Sequence, residues 1–324
     1  GVYGASSPRM NVADLRTKGW EASITWGDSF TLASKPFNYR VMAGIGDNTS
    51  KVTKYDNPNR TLTDPYEGQQ LGEIWGYVVD GYFKTDEEAR NYKVDQSFVN
   101  QMINASALDN GLHAGDLKFV DLDGNNKIEQ TTSANDRKDM KVIGNSLPRY
   151  NYNFGISADW YGIDFSVLFQ GIGKQNWYPG AETSMFWGPY SRPYASFIPS
   201  DFMSQVWSEE NTDAYFPRPR GYVALGSNRE LAVVNTKYLQ NLAYCRLKNL
   251  SIGYTLRIKW LSKIGFEKIR VYFSGENLLT FTKLHSDYID PEQASASNSW
   301  KTSKSDANIY PWAKTYSFGV DITF

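Results

Sequence analysis

The sequence predicts an all-β protein, an antiparallel transmembrane β-barrel segment with long extracellular loops, on three observations. The final stretch, Lys314 to Phe324, places Tyr316, Phe318, Val320, Ile322 and Phe324 on one face and Ser317, Gly319, Asp321 and Thr323 on the other. Successive side chains of a strand point to opposite sides, so this stretch has one apolar and one polar wall. Its length suits the roughly 9–11 tilted residues that carry a strand across a bilayer. Six earlier segments repeat the alternation, and the connections between them are short and long in turn.

Taken in order, Trp20, Ala22, Ile24 and Trp26 oppose Glu21, Ser23 and Thr25; Phe37, Tyr39, Val41, Ala43 and Ile45 oppose Asn38, Arg40, Met42 and Gly44. Tyr150, Tyr152, Phe154, Ile156, Ala158 and Trp160 oppose Asn151, Asn153, Gly155, Ser157 and Asp159. Ile163, Phe165, Val167 and Phe169 oppose Asp164, Ser166, Leu168 and Gln170. Leu250, Ile252, Tyr254 and Leu256 oppose Asn249, Ser251, Gly253 and Thr255, and Ile269, Val271 and Phe273 oppose Arg270, Tyr272 and Ser274. Within each set the charges keep to one face, as expected where a lipid-facing Lys or Arg costs about 2–4 kcal/mol at mid-membrane.

A soluble sandwich alternates in the same way, with one sheet face buried and one solvated. Loop lengths separate the two. Gly27–Pro36, Tyr161-Gly162 and Arg257–Glu267 are short, whereas Asp47–Pro148, Ile172–Arg246 and Leu278–Ala313 are long. Short periplasmic turns facing long external loops characterise outer-membrane barrels, and this parity places Phe324 on the periplasmic side. Strand-like pieces at Leu71–Val79 and Thr236–Cys245 are expected as external hairpins or strand extensions, because a further crossing would break the parity. Loops of this size on only seven spans indicate a segment of a larger barrel.

Composition agrees. The net charge of −1 implies no general attraction to nucleic acid. Mean hydropathy is negative and no apolar run approaches twenty residues, which argues against membrane helices but not against spanning strands. The 22 Tyr and 10 Trp suit interfacial girdles or sugar-stacking surfaces. A lone cysteine, Cys245, precludes an intrachain disulfide, and His113 and His285 offer no His-rich metal or relay site. The Gly-Val-Tyr-Gly start lacks a secretory leader, as expected if a leader was removed or the chain is part of a longer one.

Asp121-Leu-Asp123-Gly-Asn125-Asn-Lys127-Ile-Glu129 has oxygen-bearing side chains at alternate positions and the Lys127 carbonyl at the seventh, a pattern able to wrap calcium. Asn126 stands where such loops favour Gly, and Thr132 occupies the twelfth position; Asp136 is the expected remaining ligand. The alternative is an Asx-rich turn satisfied by its own side chains. A Pro-punctuated external stretch carries Trp177, Tyr178, Trp187, Tyr190, Tyr194 and Trp207, candidates for stacking on a substrate or partner, or else for packing the loop onto the barrel rim. Lys84–Arg90 is expected to begin a short helix, with Thr85 as N-cap and Glu88 completing a capping box. Gly171-Ile-Gly173 lacks a βαβ context, and no catalytic constellation is marked, so no enzyme is expected.

A set of motifs runs in order over nearly the whole chain. These are Thr17-Lys-Gly-Trp-Glu21, Gly72-Glu-Ile-Trp-Gly-Tyr77 with Asp80-Gly81, Gly115-Asp-Leu-Lys118, Asp121-Leu-Asp-Gly-Asn125 and Asp136-Arg137. Val142-Ile-Gly144 with Pro148, Phe169-Gln-Gly171, Arg246-Leu-Lys-Asn-Leu-Ser-Ile-Gly-Tyr254, Gly275-Glu-Asn-Leu278 and the terminal strand complete it. The set resembles the C-terminal part of SusC/RagA-type TonB-dependent transporters of the Bacteroidetes outer membrane. The resemblance implies that residues 1–324 are barrel wall from a plugged barrel of about 22 strands, with the plug and the N-terminal strands outside this sequence. It further implies import of oligosaccharides or peptides, a SusD-like surface lipoprotein over the mouth, and energy from TonB acting through the missing N-terminal region. A passive porin, a siderophore-type receptor and a soluble carbohydrate-binding β-sandwich are the alternatives.

Overall fold

The computed structural model describes residues 11–99, 111–191, 197–219, 221–226, 229–257, 265–294, 304–305 and 310–324. Seven long strands form its wall: β1 (Ala13–Leu32), β2 (Lys35–Tyr55), β3 (Arg149–Trp160), β4 (Ile163–Lys174), β5 (Tyr244–Thr255), β6 (Lys268–Thr282) and β7 (Thr315–Thr323). Each pairs antiparallel with the next in one seven-stranded up-and-down sheet. The seven alternating segments of the sequence are these strands.

Register explains why they associate as they do. Phe30, Phe37, Trp160, Ile163, Tyr254, Val271 and Val320 stand opposite one another from strand to strand, forming an apolar row across the whole sheet. A one-residue slip anywhere would turn a strand's apolar set to the polar side, so the pattern itself selects the register. Among the described residues no second sheet covers the apolar face, and Ile24 and Phe318 remain 67% and 83% exposed. An uncovered apolar face of this extent is incompatible with the soluble sandwich and fits a sheet solvated by lipid.

The turns follow the expected parity with one refinement. Ala33 and Ser34, at φ 46 and 62, close β1–β2, so the short connection is a two-residue turn and not the Gly27–Pro36 loop. Tyr161 and Gly162, at φ 48 and 93, make the same kind of turn between β3 and β4. Positive φ at both central residues matches the right-handed strand twist. β1 and β2 are also longer than a membrane requires, and residues 68–71 bond to the outer part of β2, with Val52 N donating to Gln69 O at 2.9 Å. Toward the short-turn end the outward face of β1 bears Asp28, opposite Tyr39 and two residues from Phe30. The cost of a charge falls toward the interface, where Asp28 sits.

All three long connections contribute to one external module. Its core joins Tyr77 and Phe119 from the first, Trp187, Phe216 and Tyr238 from the second, and Leu284 and Ile289 from the third. The expected external pieces are small sheets: Glu73–Tyr77 pairs with Met140–Asn145, and Gln240–Asn241 with Asn176–Trp177. Tyr244 and Cys245 already belong to β5. The helix spans Asp86–Arg90; Thr85 Oγ1 accepts from Glu88 N at 3.1 Å, but the Glu88 carboxylate returns to Lys84 N rather than to Thr85 N.

Substituting Ile156→Arg, between Val41 and Val167 on the apolar face, is expected to destabilise the folded barrel by about 2–4 kcal/mol, whereas Ser157→Arg on the other face should cost little. Urea unfolding of the complete protein in detergent would compare them, and equal losses would contradict the assignment of faces.

Candidate functional site

The polar wall of the sheet is the surface a ligand or enclosed segment would meet. Ser157, Ser166, Ser251, Ser274 and Ser317 lie opposite one another across five adjacent strands, giving a level band of short hydroxyls. Nearer the short turns, Arg270 of β6 grips Asp164 of β4 through Nε (2.9 Å) and Nη2 (2.6 Å), and reaches Asp321 of β7 at 3.1 Å. The guanidinium passes over β5 at Gly253, where a Cβ would lie 2.5 Å from its nitrogens. Glycine is therefore required there by close approach, and one side chain ties three strands together across a fourth.

Toward the long loops, β5 carries a bulge between Leu247 and Asn249. Bulges re-aim side chains, and this one lets Arg246 and Lys248 converge on the same loop. Arg246, 2% exposed, donates to Asp290 (2.6 Å), Glu292 (2.7 Å) and Thr280 Oγ1 (3.0 Å). Lys248 Nζ donates to Glu292 at 2.9 Å, and Trp312 N donates to the other Asp290 oxygen at 3.2 Å. The knot fastens both ends of the third external connection to the wall. The Arg246–Tyr254 motif thus combines an anchor for that loop with a spanning strand.

The expected stacking residues lie elsewhere than anticipated. Trp177, Tyr178, Trp187 and Tyr190 are fully buried in the external core, and Trp207 nearly so; Tyr194 lies outside the described residues. Their polar atoms are mostly used internally. Tyr178 donates to Leu231 O at 2.8 Å, Trp187 Nε1 to Gly180 O at 3.0 Å, and Tyr190 to Pro217 O at 2.7 Å. Burial pushes the Tyr178 and Tyr238 hydroxyls well above their ordinary pKa, so both stay neutral. Trp207 packs on Gly115 (φ 80), where a Cβ would come within 2.5 Å of its ring. The next residue, Asp116, accepts from Arg218 Nε at 2.5 Å, which gives the Gly115–Lys118 motif a packing role. These five rings thus face the interior of the module rather than its surface. Exposed rings occur instead at Phe197 and Tyr288, 4.8 Å apart, and at Trp312.

In the acidic loop the carboxylates that converge are only partly the expected ones. Asp121, Asp123 and Asp139 bring carboxylate oxygens within 4.8 Å of one another; Asp136 is not in that cluster, its N–H instead donating to Ser133 O at 3.2 Å. Asp139 was missed because it stands outside the loop motif, just before the Met140–Asn145 strand that carries it in. Asn126 takes the left-handed conformation (φ 62) in place of glycine. Asp121 accepts from the N–H groups of Gly124 and Asn126, both at 2.7 Å. Burial raises the pKa of Asp139; N–H donors from Glu129 and Leu122 oppose this, and Asp123 and Asp121 add to it. Glu129 is engaged by Lys138 (3.4 Å) and Lys127 (3.8 Å), and Asn125 Nδ2 donates to Asp123 and Glu129, both at 3.2 Å. Three convergent carboxylates are a donor set suited to a hard, oxygen-preferring cation.

Removing the Arg246 side chain (Arg246→Ala) would strand the Asp290 carboxylate and is expected to cost about 3–5 kcal/mol. Hydrogen exchange over residues 284–294 should accelerate markedly, and unchanged protection there would count against the knot.

No protein-family profile matches the chain. It is similar to TonB-dependent receptors of Formosa agariphila: one is 26% identical over 340 residues and another 25% over 349, each alignment covering 99% of this chain. The chain spans about 30% of the length of these relatives, 30% and 31% respectively. Among solved structures, the RagAB peptide importer in its open-open state matches the whole chain with a TM-score of 0.65 at 19% identity, covering 30% of that chain. The closed-closed state matches with a TM-score of 0.63 at 21% identity, covering 31%. In sequence and fold together, this chain is similar to part of the SusC/RagA-type TonB-dependent transporters.

Proposed function

We propose that this chain forms part of the barrel wall of a TonB-dependent outer-membrane importer for large nutrients, acting with a SusD-like surface lipoprotein. The observation that carries the reading is the apolar face that runs across seven strands, with two-residue turns at one end and a folded module at the other. The likeness to TonB-dependent receptors over 99% of the chain supports energised import rather than passive diffusion. Of the two substrate classes, peptide is favoured by the RagAB importer to which the fold is similar. The wall supplies the scaffold and polar lumen surface, while substrate and lipoprotein meet the external module. Import would proceed by rearrangement of an enclosed plug whose states ligand and TonB bias differently. The named relatives are receptors and importers, which supports a non-enzymatic role.

Deleting the receptor in its native host should abolish growth on defined oligopeptides as sole nitrogen source, and loss of TonB should do the same. Growth lost on oligosaccharides alone would move the substrate class to glycans, and growth lost only under iron limitation would favour the siderophore-type alternative. Uptake that persists without TonB would favour the passive porin.

We also propose a structural calcium ion held by Asp121, Asp123 and Asp139. It would rigidify the external module without taking part in transport. Calcium at a hundredfold excess over its dissociation constant should stabilise the protein by about 2.7 kcal/mol. Asp139→Asn should remove most of that gain, whereas Asp136→Asn should leave it intact. Thermal unfolding with calcium and with chelator provides the comparison, and indifference of the parent protein to calcium would refute the site.

A further inference from the structure

The short-turn end of the sheet carries two cations that the importer reading leaves without a role. Tyr161 begins the β3–β4 turn with φ 48, at the tip of the hairpin. Lys35 Nζ lies 5.2 Å from its ring centroid and Arg257 Cζ lies 4.9 Å from it. Both distances fall within the ~6 Å over which an aromatic quadrupole attracts a cation. A Cβ at Gly162 would stand 3.1 Å from Arg257 Nε, so the glycine allows the guanidinium to lie close against the turn.

Ion pairs of the described residues involve other basic groups, and none reaches Lys35 or Arg257. Two like charges on one neutral ring repel each other, and the ring cannot neutralise them. An anion between them would. The immediate surroundings say which kind. Trp160, whose Nε1 donates to Leu32 O at 3.1 Å, stands opposite Phe37 on the apolar face. Phe37 lies 5.0 Å from Phe30. A cationic pair bordered by interfacial rings matches a headgroup with acyl chains attached better than a free ion.

We infer that Lys35 and Arg257, gathered on Tyr161, hold the phosphodiester of an anionic phospholipid in the periplasmic leaflet, whose acyl chains lie along Phe30, Phe37 and Trp160. The planar guanidinium can donate two parallel hydrogen bonds to the phosphate, and the ammonium acts as a compact second charge. This rests on the barrel orientation proposed above, with the short turns facing the periplasm.

The test uses the complete receptor in detergent, given phosphatidylglycerol, phosphatidylcholine or inorganic phosphate, with retained lipid counted by native mass spectrometry. The double variant Lys35→Gln/Arg257→Gln is expected to hold phosphatidylglycerol roughly tenfold more weakly, with phosphatidylcholine unaffected. Inorganic phosphate should not displace the lipid. Equal retention by parent and variant would overturn the inference, and so would displacement by inorganic phosphate, which would mark an adventitious ion only. Should the variant fold poorly, a photoactivatable phosphatidylglycerol on the parent protein decides: labelling of the peptide containing Tyr161 supports the site, and labelling confined elsewhere refutes it. If the barrel reading itself were wrong, the parent protein would be absent from outer-membrane fractions, a result obtained before any lipid is compared.

Discussion

Hydrocarbon offers nothing to a backbone N–H or C=O, and every other feature of this chain is arranged around that fact. Strands that cross such a medium must pair with one another, and their outer faces must carry groups that need no water. The seven-stranded sheet meets both demands between β1 and β7. Among the described residues no further strand pairs with the outer edge of β1 or of β7, and all of β1 is exposed. Edge strands of that length do not persist in lipid, so closure by further strands is a physical requirement of the wall.

The opposite face operates under different rules. Polar groups are tolerated there, and the sheet uses them as ties. Arg270 links β4, β6 and β7 over the gap left by Gly253, which stiffens the wall where the connecting turns are minimal. Arg246 and Lys248 hold down the third external connection where the strands leave the membrane level. Between these two basic clusters the band of five serines projects little from the wall. From β3 to β7 the charges of this face thus flank the short hydroxyls, while Arg40 of β2 stands level with them, opposite Ser157.

The spanning strands were legible in the sequence because lipid imposes a period of two that local composition records directly. Terminal details were less so. Ala33-Ser34 carries none of the Asn-Gly or Asp-Gly character that marks such turns, so the first hairpin could be placed only to within several residues. The external aromatics were visible as a group, but whether a ring faces water depends on contacts between connections far apart in the chain. Trp187, for instance, packs against Tyr178 nearby in the chain and Tyr238 much further along. The acidic loop was legible in part. Its turn chemistry was readable from Asp121 to Asn126, yet the third carboxylate came from Asp139, delivered by a strand pairing between Met140–Asn145 and Glu73–Tyr77. The Gly115 and Gly253 motifs could be recognised from the sequence, but their reasons, a tryptophan and a guanidinium seated where a methyl would be, required coordinates.

The shared core of the three external connections has a consequence for how such a protein can diversify. Because Phe119, Trp187 and Leu284 belong to one packed interior, no loop is an independent cassette. Exchange of a single loop between relatives would leave holes and collisions in the other two, so viable chimeras should transplant all three together. Change is then accommodated most readily at the skin of the module, while its interior must be altered as a unit.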